Sequence, residues 1–334
     1  MGSCYDGSVY VSTNRGDSWA PGVQLGAQIR KLVIDPRTAG NPAATVLYAA
    51  TDQGVFRSAD SGGSWTNVLG GDVWSFSASM PVGGPDAYYA GVLRSGLFSA
   101  ADPTGSWSNL NTAGIGLPAY DAAAPGGENF NVVYADLCPL NPSRLYVVLL
   151  SGTNANFGAL YTSGNPSAAW SQVAVGTPHP DTAYGFYNFY GVYDFAFAVA
   201  PNSPGDGLAD ILFFGGIALW RSKDAGRNWT IPNDILYADH HEIAFYPPSP
   251  PAGTISYVGC DGGLGVSDGF CDPAVDITQP QADHDELNTY IDTAEIQNYN
   301  HGITTLATYA YASHPAIAAL QYTACQDTLA WREA

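Results

Sequence analysis

Short apolar runs, each broken by a tight turn carrying Asp, Asn or Gly, set the rhythm of this chain. Leu47-Tyr48-Ala49-Ala50-Thr51-Asp52-Gln53-Gly54-Val55-Phe56-Arg57-Ser58 reads as strand, turn and strand, the pattern of a β-hairpin. The same pattern spans residues 3–12, 88–99, 145–163, 212–222, 257–267 and 322–331, which makes seven hairpins. An apolar strand that ends near proline precedes several of them: Leu32-Val33-Ile34-Asp35-Pro36, Phe195 to Pro201, and Ile243 to Pro247. No run of about 18 apolar residues occurs, so the pattern contains no membrane-spanning helix.

A second periodicity lies on top of the first. Ser58, Asp60, Gly62, Ser64 and Trp65 complete a Ser-x-Asp-x-Gly-x-Ser-Trp pattern just after a hairpin. Ser222, Asp224, Gly226, Asn228 and Trp229 form a near-complete copy, and Ser12, Asn14, Gly16, Ser18 and Trp19 form another with Asn in the acidic place. Degenerate copies keep only the step to tryptophan, Asp102 to Trp107 and Asn165 to Trp170, and Asp268 marks a faint last one. The acidic places follow one another at 46, 42, 63, 59 and 44 residues. Such a period, with one aromatic per unit, predicts propeller blades of about four strands. The Asp and Ser side chains are expected to hold the turn's backbone and the Trp to pack between sheets, so these residues read as structural.

The units are expected to form one all-β domain over residues 1–334, a seven-bladed β-propeller of four-stranded antiparallel blades. The blades fall near 1–25, 26–70, 71–112, 113–175, 176–232, 233–300 and 301–334. The chain opens inside the first hairpin and stops inside the seventh, so the terminal blades are incomplete: either the sequence belongs to a longer chain or its ends complete one another.

The boxes resemble those of the Asp-box (BNR) propellers, a group with sialidase-like repeats, the sortilin luminal domain and two-propeller xyloglucan hydrolases. A narrower resemblance to secreted, glycosyl-hydrolase-like bacterial repeat proteins covers residues 190–327, through Tyr193-Asp194, Gly215 to Ser222, Asp239-His240-His241-Glu242, Gly259 to Gly263 and Gln326-Asp327. The resemblance implies an extracellular or surface location and a propeller fold more firmly than a reaction.

Composition narrows the partners. The formal charge is −19 and Lys31 and Lys223 are the only lysines, so a phosphate-binding groove for nucleic acid is excluded. The acidity itself serves solubility. A sialidase-type arginine clamp has too few candidates, because of nine arginines Arg15, Arg57, Arg221 and Arg227 lie in or beside boxes and the Phe/Tyr-Arg-x-Pro motif is missing. Cysteines stand at 4, 138, 260, 271 and 325. Cys260 and Cys271 flank the sixth hairpin and admit either a disulfide or two buried thiols. No Cys-x-x-Cys spacing supports zinc. Asp272, Asp276, Asp283, Asp285 and Glu286 offer oxygen ligands of the kind Ca²⁺ takes, without a loop motif's spacing, and read as a solvated loop. No cofactor is expected.

Candidate chemistry is expected on the rim opposite the boxes, where Asp194, Asp239, His240, His241, Asp261, Gln326 and Asp327 would gather around one channel mouth. Asp194, Asp239, Asp261 and Asp327 are the candidate catalytic carboxylates, and His240, His241 and Gln326 candidate binding residues. Tyr184, Tyr187, Tyr190 and Tyr193 crowd the connection into the fifth unit and could stack on sugar rings or on a protein partner. The sequence favours a secreted or surface-displayed propeller that binds a glycan or protein partner, within a longer chain or larger assembly. The alternative is an inverting glycoside hydrolase like the xyloglucan-degrading two-propeller enzymes, which would need a second domain to complete its cleft.

Overall fold

The structure is a computed structural model that describes residues 7–12, 18, 23–38, 41, 43–112, 114–151, 157–176, 194–230, 239–246, 254–260, 263–267, 269–274, 297–298, 308–313 and 321–325. β1 (Tyr10–Ser12) comes first in the chain, and five blades of consecutive strands follow it. The first holds β2 (Ile29–Ile34), β3 (Leu47–Thr51), β4 (Gly54–Ser58) and β5 (Thr66–Gly70), and the second β6 (Val73–Ser79), β7 (Ala87–Val92), β8 (Gly96–Ala100) and β9 (Ser108–Asn109). The third holds β10 (Val133–Cys138), β11 (Asn141–Leu150), β12 (Phe157–Asn165) and β13 (Ala169–Gln172). The fourth has β14 (Ala196–Val199), β15 (Leu212–Gly215) and β16 (Leu219–Ser222), with a single Arg221–Thr230 bridge where a fourth strand would lie. The fifth has β17 (His240–Tyr246), β18 (Ile255–Cys260), β19 (Gly263–Ser267) and β20 (Gln297–Asn298). Every pairing is antiparallel, and each blade's first strand lies innermost.

The expectation of seven four-stranded blades is therefore corrected. The first and seventh hairpins are parts of one three-stranded closing sheet, in which β1 pairs antiparallel with β22 (Gln321–Cys325) and β22 with β21 (Thr308–Ser313). Tyr10 stands opposite Thr323 and Ser12 opposite Gln321. Strands from the first and seventh hairpins share one sheet, so counting hairpins overcounts sheets. Strand β21 lies beside both β2 and β17, which closes the ring of inner strands.

Hydrophobic cores sit between neighbouring blades. Val46, Tyr48, Ala50 and Val55 of the first blade pack on Val73, Phe76, Tyr88 and Ala90 of the second. Phe130, Val133 and Val147 of the third meet Tyr89 and Leu97, and Phe213 of the fourth stacks on Phe270 with ring centroids 4.5 Å apart. Because both faces of a middle strand are covered this way, β3 and β15 are buried at every residue and show no polar alternation.

The eight-residue turns are local hydrogen-bond cages. Ser58 Oγ donates to Asp60 Oδ1 (2.8 Å) and accepts from Gly62 N (2.8 Å), while Ser64 N and Oγ donate to the Asp60 carboxylate at 2.8 and 2.7 Å. Ser222, Asp224, Gly226 and Asn228 repeat these contacts at 2.6–2.9 Å. Gly62 (φ 89°) and Gly226 (φ 87°) lie in the left-handed region. A Cβ on Gly226 would also come within 2.1 Å of Leu160. The degenerate copies keep a tryptophan anchor: Trp107 Nε1 donates to Pro103 O (3.2 Å) and Trp170 Nε1 to Pro166 O (2.9 Å), as Trp229 Nε1 does to Gly226 O (2.9 Å). Asn14, Gly16 and Trp19 lie outside the described residues, as does the side chain of Ser12.

Of the two readings left open for Cys260 and Cys271, the structure joins them by no disulfide. Cys260 closes β18 opposite Gly263, whereas Cys271 is a buried thiol 3.3 Å from Ser256 Oγ, its pKa pushed up to about 11 by burial. No helix among the described residues is long and apolar enough to cross a membrane.

Candidate functional site in the central channel

Inner strands begin where the hairpin turns end, on one rim. Asp52 N donates to Gln28 O (3.1 Å), Leu93 N to Asp72 O (2.8 Å), and His240 N to Gly216 O (2.9 Å). The boxes bond to the other ends of the strands, as with Ser61 N to Thr45 O and Ala225 N to Asp210 O.

Three of the five blades carry a β-bulge at the second residue of their inner strand: Arg30 in β2, Trp74 in β6 and His241 in β17. A bulge adds one residue to its strand and re-aims side chains beside it. All three bulged side chains line one cavity of about 360 Å³ inside the ring of inner strands. Tyr134 and Phe195 line it from the two blades without such a bulge. Arg30 lies over the Trp74 ring, 3.9 Å from its centroid, and ion-pairs with Asp72. The Tyr134 and Phe195 rings are 4.2 Å apart, and burial pushes the Tyr134 phenol well above its ordinary range.

Beside these rings stand Lys31, Asp136 and Glu242, which also line the cavity. Lys31 Nζ forms an ion pair with Glu242 Oε1 across 211 residues of sequence, joining the first blade to the fifth past the closing sheet. Asp136 accepts from Ser77 Oγ, Leu137 N and Val199 N, each at 2.9 Å, and so ties three inner strands together. Burial raises the pKa of both carboxylates; Lys31 pulls each back, and Asp136 pushes Glu242 further up.

Of the carboxylates and imidazoles expected at the mouth, only His241 among the described residues lines this cavity. Asp194 is fully buried ahead of β14. His240 is buried too: its Nδ1–H donates to Gly216 O (2.7 Å), and burial lowers its pKa to about 4. Asp239 precedes β17 with φ 65°. Asp261, Gln326, Asp327, Tyr184, Tyr187, Tyr190 and Tyr193 lie outside the described residues, as do Asp276, Asp283, Asp285 and Glu286; Asp272 is exposed. Among the described residues no group of three or more His, Cys, Asp or Glu could hold a metal ion. The sequence reading did not single out Arg30, Trp74, Tyr134, Asp136 or Phe195. Their signal was present: a large aromatic or cationic residue beside the first residue of each inner strand, and a lysine in a chain that has two.

No protein-family model matches the chain, and no curated protein matches it in sequence. Its architecture is a β-propeller. In fold it is similar to an ancestral GH74 enzyme, with TM-score 0.51 and 14% identity, over 84% of this chain and 37% of that one. It is equally similar to the extracellular domain of a hybrid two-component system from B. thetaiotaomicron, with TM-score 0.51 and 13% identity, over 95% of this chain and 37% of that one. The chain thus spans 37% of the length of each.

Proposed function

We propose that this propeller is a secreted or surface-displayed binding module whose ligand, a glycan, seats in the central cavity. The observation that carries this reading is the cavity lining: the half-buried aromatics Trp74 and Tyr134 stand beside the polar groups of Arg30, Lys31, Glu242 and His241. Sugar recognition needs that combination of apolar faces and fixed donors and acceptors. A volume of about 360 Å³ suits one or two sugar rings better than a folded protein surface. The eight-residue turns are Asp-boxes in this reading and only support the scaffold. The test is calorimetric titration of an oligosaccharide panel against the wild type and Trp74→Ala and Tyr134→Ala. Binding that is lost in both folded variants supports the reading. Binding that survives both, or a protein partner captured with no dependence on either residue, defeats it.

A second reading is a glycoside hydrolase completed by a further domain. It is favoured by the likeness to a GH74 enzyme of which this chain spans 37%, and by Glu242, a buried carboxyl with a raised pKa as a general acid requires. Against it, Glu242 is already paired to Lys31 and Asp136 is held by three donors. Release of reducing ends from xyloglucan that disappears in Glu242→Gln would favour the hydrolase.

A further inference from the structure

We infer that the Lys31–Glu242 pair makes the central cavity selective for an uncharged sugar unit, and that these two residues set the discrimination against acidic and amino sugars. The inference rests on the binding reading above and adds the ligand's charge class. It begins from where the wall's charges are spent. Arg30 is paired with Asp72 and also donates to Val73 O (3.1 Å), Lys31 is paired with Glu242, and Asp136 accepts three hydrogen bonds from its own wall. Glu242 is nearly sealed, with 6% of its side chain exposed, so its pair with Lys31 cannot be exchanged for a bulk counter-ion at little cost. A ligand carboxylate or ammonium would lose its hydration shell here and find each opposite charge already engaged.

A neutral ring does not meet that penalty. Its hydroxyls both donate and accept, and Lys31, with 31% of its side chain exposed, keeps donors beyond the one given to Glu242. Its C–H face can lie on the half-buried aromatic rings of Trp74 or Tyr134. The pair therefore acts as a polar anchor without a net charge.

The Trp74 indole supplies a reporter: the residue lines the site, and its Nε1–H is buried with no hydrogen-bond partner among the described residues. The experiment follows the Trp74 Nε1–H resonance, assigned with Trp74→Phe, during titration with cellobiose, xylobiose, lactose, digalacturonate and the glucosamine disaccharide. At least one neutral disaccharide is expected to shift it, and each charged one to bind about tenfold or more weakly. Glu242→Gln moves the cavity charge by +1 and should raise the affinity of digalacturonate relative to the neutral sugars about tenfold. Lys31→Met should do the same for the glucosamine disaccharide. Should either single variant not fold, the double variant Lys31→Met/Glu242→Leu leaves no lone charge and should hold its fold while binding neutral sugars about tenfold less tightly. A charged disaccharide that shifts Trp74 as well as the neutral ones do, or a folded double variant with wild-type binding, overturns the selectivity and leaves the cavity as the binding site. If no sugar shifts Trp74, both the selectivity and the binding reading fall.

Discussion

Asp60 on the box rim and Asp136 in the channel wall hold the same set of partners, yet their pKa values move in opposite directions. Each carboxylate accepts from serine hydroxyls and backbone amides, Ser58 and Ser64 in one case, Ser77, Leu137 and Val199 in the other. Asp60 stands in water, so the hydrogen bonds from Ser64 and Ser58 lower its pKa to about 2. Asp136 is half-buried in the cavity wall, and the lost hydration outweighs its three hydrogen bonds, so its pKa rises. Hydrogen bonding stabilises the charged form in both places, and solvent access decides the sign. The rim therefore spends its carboxylates on local turns, whereas the channel holds charge that only long-range packing supports.

Several variants would break or sharpen this contrast. The largest loss is expected from Trp229→Ala: its side chain is fully buried between blades and bonded to Gly226, so unfolding in denaturant should show a loss of about 3–5 kcal/mol. Cavity binding in the folded fraction should be unchanged, since the box lies on the opposite rim. Asp136→Ala should come next, at about 3 kcal/mol, because each buried donor left unsatisfied costs about 1–3 kcal/mol. Asp60→Ala should lose less than Asp136→Ala in the same measurement, as Ser64, which gives it two of its hydrogen bonds, is exposed and can turn to water; the reverse order would refute the comparison.

The pH dependence should separate the two regions by sign. A carboxylate with a raised folded pKa contributes stability below its unfolded pKa, near 3.8 for Asp136 and 4.5 for Glu242, and loses it as pH climbs through the folded value. Asp60 does the opposite, contributing above 3.8 and failing as pH falls through about 2. His240 adds an acid-side loss between 6.5 and about 4, because its folded pKa is depressed. Denaturation midpoints against pH should therefore lose part of their acid-side slope near pH 2–4 in Asp60→Asn, and part of the decline above pH 4 in Asp136→Asn. The smallest stability effect is expected from Trp74→Ala, about 1 kcal/mol at a half-buried cavity wall, together with loss of sugar binding in the titration.

The sequence by itself determined whatever depends on neighbours within about eight residues. The cages at Ser58–Trp65 and Ser222–Trp229 need only a hydroxyl, a carboxylate and a glycine at fixed offsets, so their pattern is readable directly, as are the hairpins at Leu47–Ser58 and Leu212–Ser222. The number of blades was decided by a contact that carries no local mark, the pairing of Tyr10–Ser12 with strand Gln321–Cys325 near the other end of the chain. The cavity is likewise a product of ring closure. Arg30 and Trp74 read as ordinary residues of separate strands until bulges bring them to the cavity beside His241, and Lys31 meets Glu242 only because the fifth blade returns within reach of the first. Local hydrogen bonds can be written in consecutive residues, but burial, which sets the charge behaviour of Asp136 and Glu242, is a property of the closed ring alone.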